Sequence, residues 1–419
     1  MIAKLLLDRK REGRELAEGE IRDFVAAYMR GEVPDYQMSA FAMAVCCRGM
    51  TTAETAALTA ALRESGTNLS WDGFPPTADK HSTGGVGDKL SLIVQPLAAA
   101  CGLAVPSLVG RGLGLTGGTA DKMESIPGYN ASLSLADFRA VVADCGCSLT
   151  TQTPEIAPAD GRLYALRDVT GTVPSIPLIV ASILSKKLAE GAQTLVFDVK
   201  CGAGAFMRTR ADADALAQAL VAGARAAGRR AHALVTDMSE PLGFAVGNAN
   251  EVREALDVLN NRAGAPQTVV ALSLTLAAHM VAGATGVPLA EAEAQCRAHL
   301  ANGDAARRFA RMVERHGGDL AAFEAFCARP CAARDVVADA TGVVTAIDAE
   351  KVARAAFVLG AGRAAAGEAI DMRAGVTLAV AHGDRVAAGA PLARVETATR
   401  PERLAEAAAL TRAAISIVS

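Results

Sequence analysis

Between Lys80 and Ser91 the chain reads Lys-His-Ser-Thr-Gly-Gly-Val-Gly-Asp-Lys-Leu-Ser, with glycines at 84, 85 and 87. Without a Cβ, the backbone there can approach an anion closely and point N–H groups at it. The apolar stretch from Lys89 to Cys101 predicts a helix whose positive N-terminus faces the same place. Lys80, Ser82 and Ser91 add a cation and two hydroxyl donors. An ordinary glycine turn needs none of those neighbours. The lysine precedes the glycines, so the segment is no Walker A loop, and it is no dinucleotide fingerprint.

From about Thr77, glycine-rich turns alternate with helices and short buried strands. Examples are Leu135 to Cys145 behind Ser134, Thr194 to Lys200, and Ala231 to Thr236 before Glu251 to Leu259. That alternation implies a sheet covered by helices. The first 66 residues are different. Glu20 to Arg30 has an amphipathic spacing at Ile21, Phe24, Val25 and Tyr28. Asp35 to Arg48 is nearly apolar throughout, and Thr51-x-x-Glu54 is a capping box for a third helix. A helix apolar on more than one side wants a second partner, as a dimer face would provide. From about Asp335 short strands and turns return. The expected architecture is therefore α/β and α+β. A helical lobe (1–66) joins a larger α/β lobe with a central mixed sheet (77–159 and 191–334), and a small C-terminal α+β domain follows (335–419).

Composition narrows the function. Among 419 residues, 42 Lys+Arg stand against 45 Asp+Glu, for a net charge of −3. Such balance, with 4% aromatics, argues against a nucleic-acid partner. Hydrophobic residues at 51% exclude wholesale disorder. Nine cysteines in no metal-ligand spacing read as reduced cytoplasmic thiols. The mixed charges of Met1 to Arg14 do not read as a signal peptide. Val269 to Ala290 carries no Asp, Glu, Lys or Arg, yet it is alanine-rich and contains Ser273, Thr275, His279 and Pro288. It reads as a core helix ending near Gly286, not as a membrane span.

Two further clusters carry polar chemistry. Gly110-Arg-Gly-Leu-Gly-Leu-Thr-Gly-Gly-Thr-Ala-Asp-Lys-Met-Glu124 offers Thr119 as another anion donor. Asp121 and Glu124 share a helix face there, as metal ligands or as ion-pair partners of Arg111 and Lys122. The structural role is favoured. Leu163-Tyr-Ala-Leu-Arg-Asp168 and Ala181-Ser-Ile-Leu-Ser-Lys-Lys187 form the third cluster. Ser182 and Lys186, four apart, lie on one helix face and suit a planar polar ligand. By spacing alone they read as a core serine and a surface lysine.

In this order and spacing the clusters resemble the thymidine and pyrimidine-nucleoside phosphorylases. Asp198-Val-Lys-Cys-Gly-Ala-Gly-Ala-Phe206, Asp237 to Ala249 and Gly360-Ala-Gly-Arg363 extend the likeness over nearly the whole chain. The broader fold is shared with anthranilate phosphoribosyltransferase-like enzymes. The resemblance implies that 160–190 returns to the helical lobe, that this lobe forms a homodimer, and that the site lies between the lobes. Phosphate would sit on Lys80, Ser82, Ser91 and Thr119. The base would be held by His81, Arg167, Ser182 and Lys186, with His81, Arg167 and Lys186 catalytic. No cofactor is required. Some relatives bind potassium through a loop matching Gly87 and Lys89 with Leu242, Ala245 and Glu254, and Lys89 brings a cation of its own there.

The implied reaction is reversible phosphorolysis of a pyrimidine nucleoside. Phosphate is itself a nucleophile, so no Ser-His-Asp triad is needed. The protein must align two reactants and stabilise charge on the departing base. Two positions depart from the family pattern: Val109 replaces a serine donor to phosphate, and Leu115 replaces a histidine. The competing readings are a phosphoribosyltransferase of the same fold, which would need an acidic pair for Mg²⁺, and a non-catalytic nucleoside-binding protein.

Overall fold

Residues 2–112, 115–365 and 367–418 are described by a computed structural model. The amphipathic N-terminal segments form the helices Ala3–Arg11, Glu18–Met29, Asp35–Arg48 and Thr52–Glu64. Two later helices, Pro158–Val169 and Ile176–Glu190, pack onto them. Leu6, Phe24, Tyr28, Phe41 and Leu58 share one core with Leu163, Leu178 and Ala181. The capping box forms, with Thr51 Oγ1 accepting from Glu54 N and Glu54 Oε2 from Thr51 N. Glu54 also holds the buried Lys10 ammonium at 2.7 Å. Removing either partner of such a buried pair costs ~3–5 kcal/mol.

The central sheet runs β3 (Cys147–Thr151), β2 (Val105–Val109), β1 (Ala78–Ser82), β4 (Thr194–Cys201), β5 (Arg230–Asp237). The Thr77–Ala104 bridge joins its two halves. Every pairing in it is parallel, so the mixed sheet expected from the sequence is corrected in this respect. Each crossover passes through at least one helix, and that returns the chain in the same sense. The apolar helix Gln267–Thr285 packs on β1 and β4, with Val269, Leu276 and Met280 buried, and ends at Gly286 with φ +83°. It is a core helix, as its alanines and polar residues suggested.

Antiparallel pairing is found in the two sheets of the C-terminal domain, one of which also takes a strand from the α/β lobe. A four-stranded sheet orders β6 (Ala245–Gly247), β9 (Gly375–Leu378), β11 (Pro391–Thr397) and β7 (Ala332–Val337). A three-stranded one orders β10 (Arg385–Val386), β8 (Gly342–Ile347) and β12 (Ile415–Val418). Helices Ala349–Leu359 and Leu404–Ala414 pack against this domain.

Candidate active site

Lys80, His81 and Ser82 end β1, beside Asp198 and Lys200 at the end of β4. Ligands of open parallel sheets gather at these carboxyl ends. The chain then turns through Gly84 (φ +91°) and Gly87 (φ +71°) into helix Leu90–Ala100. A Cβ on Gly87 would lie 2.7 Å from the Leu242 carbonyl oxygen, so this turn requires glycine twice over.

Lys80 is buried, and among the described residues its ammonium has no hydrogen-bond partner. The nearest carboxylate oxygens stand at 3.9 Å (Asp88) and 4.0 Å (Asp198). Buried polar groups are nearly always satisfied, so a charged group left open at a strand end marks a place for an anion. Neighbouring cations are already engaged. Lys200 contacts Asp198 at 2.7 Å, and Lys122 contacts Glu251 at 3.2 Å and the Asp88 and Gly117 carbonyls. Burial would raise the Asp88 carboxyl, but Lys80, Lys200 and the Ser82 hydroxyl hold it well below the usual range. Ser82 donates to Asp88 at 2.5 Å, so its proton is committed to that carboxylate here. Ser91 and Thr119 are half-buried at the starts of their helices. Val109 ends β2 half-buried, opposite Thr151.

The second glycine cluster is described except for 113–114. Asp121 accepts from Gly112 N at 2.6 Å and Gly118 N at 2.9 Å, which closes the loop on itself. Its other oxygen meets Arg363 of the C-terminal domain at 2.7 Å, while Glu124 takes Arg111 at 2.6 Å. Both acids are thus ion-paired, in the structural role favoured from the sequence. Lys122, however, takes Glu251 rather than either of them.

Lys186 donates to Ser182 Oγ at 2.9 Å and is ion-paired with Asp160. Sequence reasoning missed Asp160, which opens the helix that also bears Arg167. The Arg167 guanidinium is buried and donates to the carbonyls of Thr172 (3.2 Å), Val173 (2.7 Å) and Leu178 (3.1 Å). Those bonds pin the 170–178 turn and leave two of its five N–H donors. Desolvation, then repulsion from Lys187, Lys186 and Lys80, pushes the His81 imidazole well below its usual range. His81 is therefore neutral at neutral pH and offers a hydrogen bond rather than a readily given proton. It also links the two halves of the site, because lysines from both act on it.

Behind β1, Lys187 bridges Asp79 and Glu190, and Gln95 joins Asp79 to Ser107. Burial and the nearby Asp79 push Glu190 well above the carboxyl range. This buried network was not read from the sequence, though its members flank the motifs that were.

The five residues matched to a potassium loop do come together. The Lys89 ammonium donates to the Leu242 and Ala245 carbonyls at 2.9 Å each and to the Glu254 carboxylate. Gly87 approaches the same carbonyls, and its own oxygen accepts from Lys89 N at 3.0 Å. With a lysine on three of the oxygens an alkali ion would need, the residues present do not fit a bound potassium.

Comparison with known proteins adds an independent finding. Residues 75–306 match the α/β domain of a glycosyl transferase family, 4–66 its helical bundle domain, and 343–418 the pyrimidine nucleoside phosphorylase C-terminal domain. The chain is 45% identical to a thymidine phosphorylase of Rhizobium meliloti, over 96% of this chain and 92% of that one. It is 44% identical to a pyrimidine-nucleoside phosphorylase of Bacillus subtilis, over 92% and 90%. The solved anthranilate phosphoribosyltransferase of Thermus thermophilus superposes with a TM-score of 0.60 at 21% identity, over 75% of this chain and 99% of that one. That likeness concerns the fold alone.

Proposed function

Because the chain belongs to the glycosyl transferase family of thymidine and pyrimidine-nucleoside phosphorylases, its reaction is reversible phosphorolysis of pyrimidine nucleosides, and we propose how its residues divide that work. Phosphate is held by Lys80, with Ser82, Ser91, Thr119 and the glycine-loop N–H groups around it. The observation that carries this is the buried Lys80 ammonium, which has no acceptor among the described residues. The base is held by Lys186, Ser182, Arg167 and His81. Phosphate attacks C1′ of the sugar as the C1′–N bond breaks, and the electron pair leaves on the pyrimidine. Lys186, fixed by Asp160, stabilises that charge, and neutral His81 donates a hydrogen bond to a base carbonyl.

Phosphoribosyl transfer is not favoured: it would need an acidic pair for Mg²⁺, and Asp121 and Glu124, the candidate pair near the phosphate site, are both held by arginines. The deciding assay measures base release from thymidine, uridine and deoxyuridine with and without inorganic phosphate. Release that depends on phosphate supports this reading. Release that does not depend on phosphate, or none, overturns it.

The protein works as a homodimer through its helical lobe. Helix Ala3–Arg11 packs on Asp35–Arg48, and Ile2, Leu5, Tyr36 and Met43 remain exposed there. A monomer mass in sedimentation at micromolar concentration would refute it.

A further inference from the structure

We propose that the Lys89 side chain is a tethered replacement for a bound alkali cation, so that this protein's anion loop is set without any monovalent metal. The proposal rests on the phosphorolysis reading and concerns how its phosphate site is held in shape.

An ammonium has three N–H donors and needs three acceptors when buried. Lys89 is fully buried, and its three acceptors are the Leu242 and Ala245 carbonyls and the Glu254 carboxylate. Two inward carbonyls and a carboxylate make a hard-oxygen cage of the kind that suits a monovalent cation. The lysine supplies the same single charge from within the chain. Glu254 balances it, and its Oε1 accepts in turn from Phe244 N at 2.8 Å and Ala245 N at 3.2 Å.

The position matters as much as the charge. Lys89 lies directly before helix Leu90–Ala100, two residues from Ser91 and one from Asp88. Its ammonium therefore ties the loop that bears the anion donors to the 242–245 segment. Leu242 N donates to the Val86 carbonyl at 3.0 Å, closing the same junction from the other side. A free ion would make this tie dependent on salt. The covalent stem removes that dependence, and the ion-binding entropy with it. Lys89 is thus a positioning residue, acting on phosphate through the loop.

The test uses the intact enzyme in matched ionic strengths of KCl, NaCl and N-methylglucamine chloride. Wild-type phosphorolysis should differ by less than about twofold across the three. Lys89→Ala in N-methylglucamine should raise the phosphate KM by about 10–100-fold, the scale of a small misplacement of positioning groups. Potassium or ammonium chloride should restore most of it, and the nucleoside KM should move little. Wild type that needs potassium overturns the proposal, as does a folded Lys89→Ala with unchanged phosphate KM, or one that potassium fails to rescue. If the variant does not fold, the wild-type series decides alone, joined by thermal melting: a potassium-specific rise in Tm overturns the proposal and its absence supports it. Absence of any wild-type turnover, by contrast, strikes the phosphorolysis reading itself.

Discussion

The two halves of the site treat their cations in opposite ways. At the end of β1 the Lys80 ammonium has no hydrogen-bond acceptor among the described residues, although carboxylate oxygens of Asp88 and Asp198 stand at 3.9 and 4.0 Å. On the helical side Lys186 is already paired with Asp160, and Arg167 is fixed in place by three carbonyls. The difference follows the charge of what each half meets. Phosphate arrives as an anion and needs a cation free in the ground state. The pyrimidine arrives neutral and gains charge only as the glycosidic bond breaks. A lysine held in place beforehand serves that moment, since donors fixed before the reaction cost no reorganisation during it. Interactions made only in the transition state raise kcat rather than affinity.

The largest expected effect breaks this contrast if it fails. Lys186→Ala should lower kcat/KM by roughly 10²–10³, as for loss of one preorganised donor. The loss should fall on kcat, with the phosphate KM nearly unchanged. Lys80→Ala should do the reverse, raising the phosphate KM by about 10–100-fold, from ~1.5–3 kcal/mol for a charged hydrogen bond. Steady-state kinetics with both substrates varied would show the split. A Lys186 variant within about twofold of wild type removes that residue from the mechanism.

A smaller effect sharpens the phosphate half. Val109 ends β2 where a hydroxyl donor is absent. Val109→Ser should lower the phosphate KM by up to about tenfold, the lower end for one hydrogen bond to a charged ligand. The nucleoside KM should stay put. If phosphate KM is unchanged in a folded variant, other donors already fill the gap.

The smallest effect is a missing one. Since the His81 pKa is pushed well below 6.5, kcat/KM should show no ionisation of His81 near that value. A limb near pH 6.5 that disappears in His81→Gln would contradict this. The same displacement has a sign for stability. Below 6.5 the unfolded chain binds protons that the native imidazole refuses, so stability declines as pH falls through that window. The Tm of wild type should fall relative to that of His81→Gln as pH drops through that window.

Local features were legible in the sequence. The glycine loop, the Thr51–Glu54 box and the Ser182/Lys186 face are each set by residues a few positions apart. The sense of the central sheet was not, because short strands do not reveal their direction. The helix in every crossover held that information. Long-range pairing was also hidden. Lys122 has acids one before it and two after it, yet it takes Glu251, while Asp121 is claimed by Arg363 from another domain. Asp160 lies 26 residues from Lys186 and carries no motif of its own. Such pairs arise from the packing of separate elements, which spacing along one chain cannot express.

β6 has a consequence for modularity. The chain leaves the α/β lobe at Ala245–Gly247 to pair with β9, with Ala245 opposite Thr377 and Gly247 opposite Gly375. The Ala245 that donates a strand to the C-terminal sheet also supplies a carbonyl to Lys89. The last domain therefore cannot be exchanged between relatives like a bead on a string. A transplanted tail must bring a β9 whose register accepts this β6, including a glycine at 375, where a Cβ would lie 2.7 Å from the Val246 carbonyl oxygen. Otherwise a hybrid would lose the setting of its anion loop through a seam more than 100 residues away in sequence.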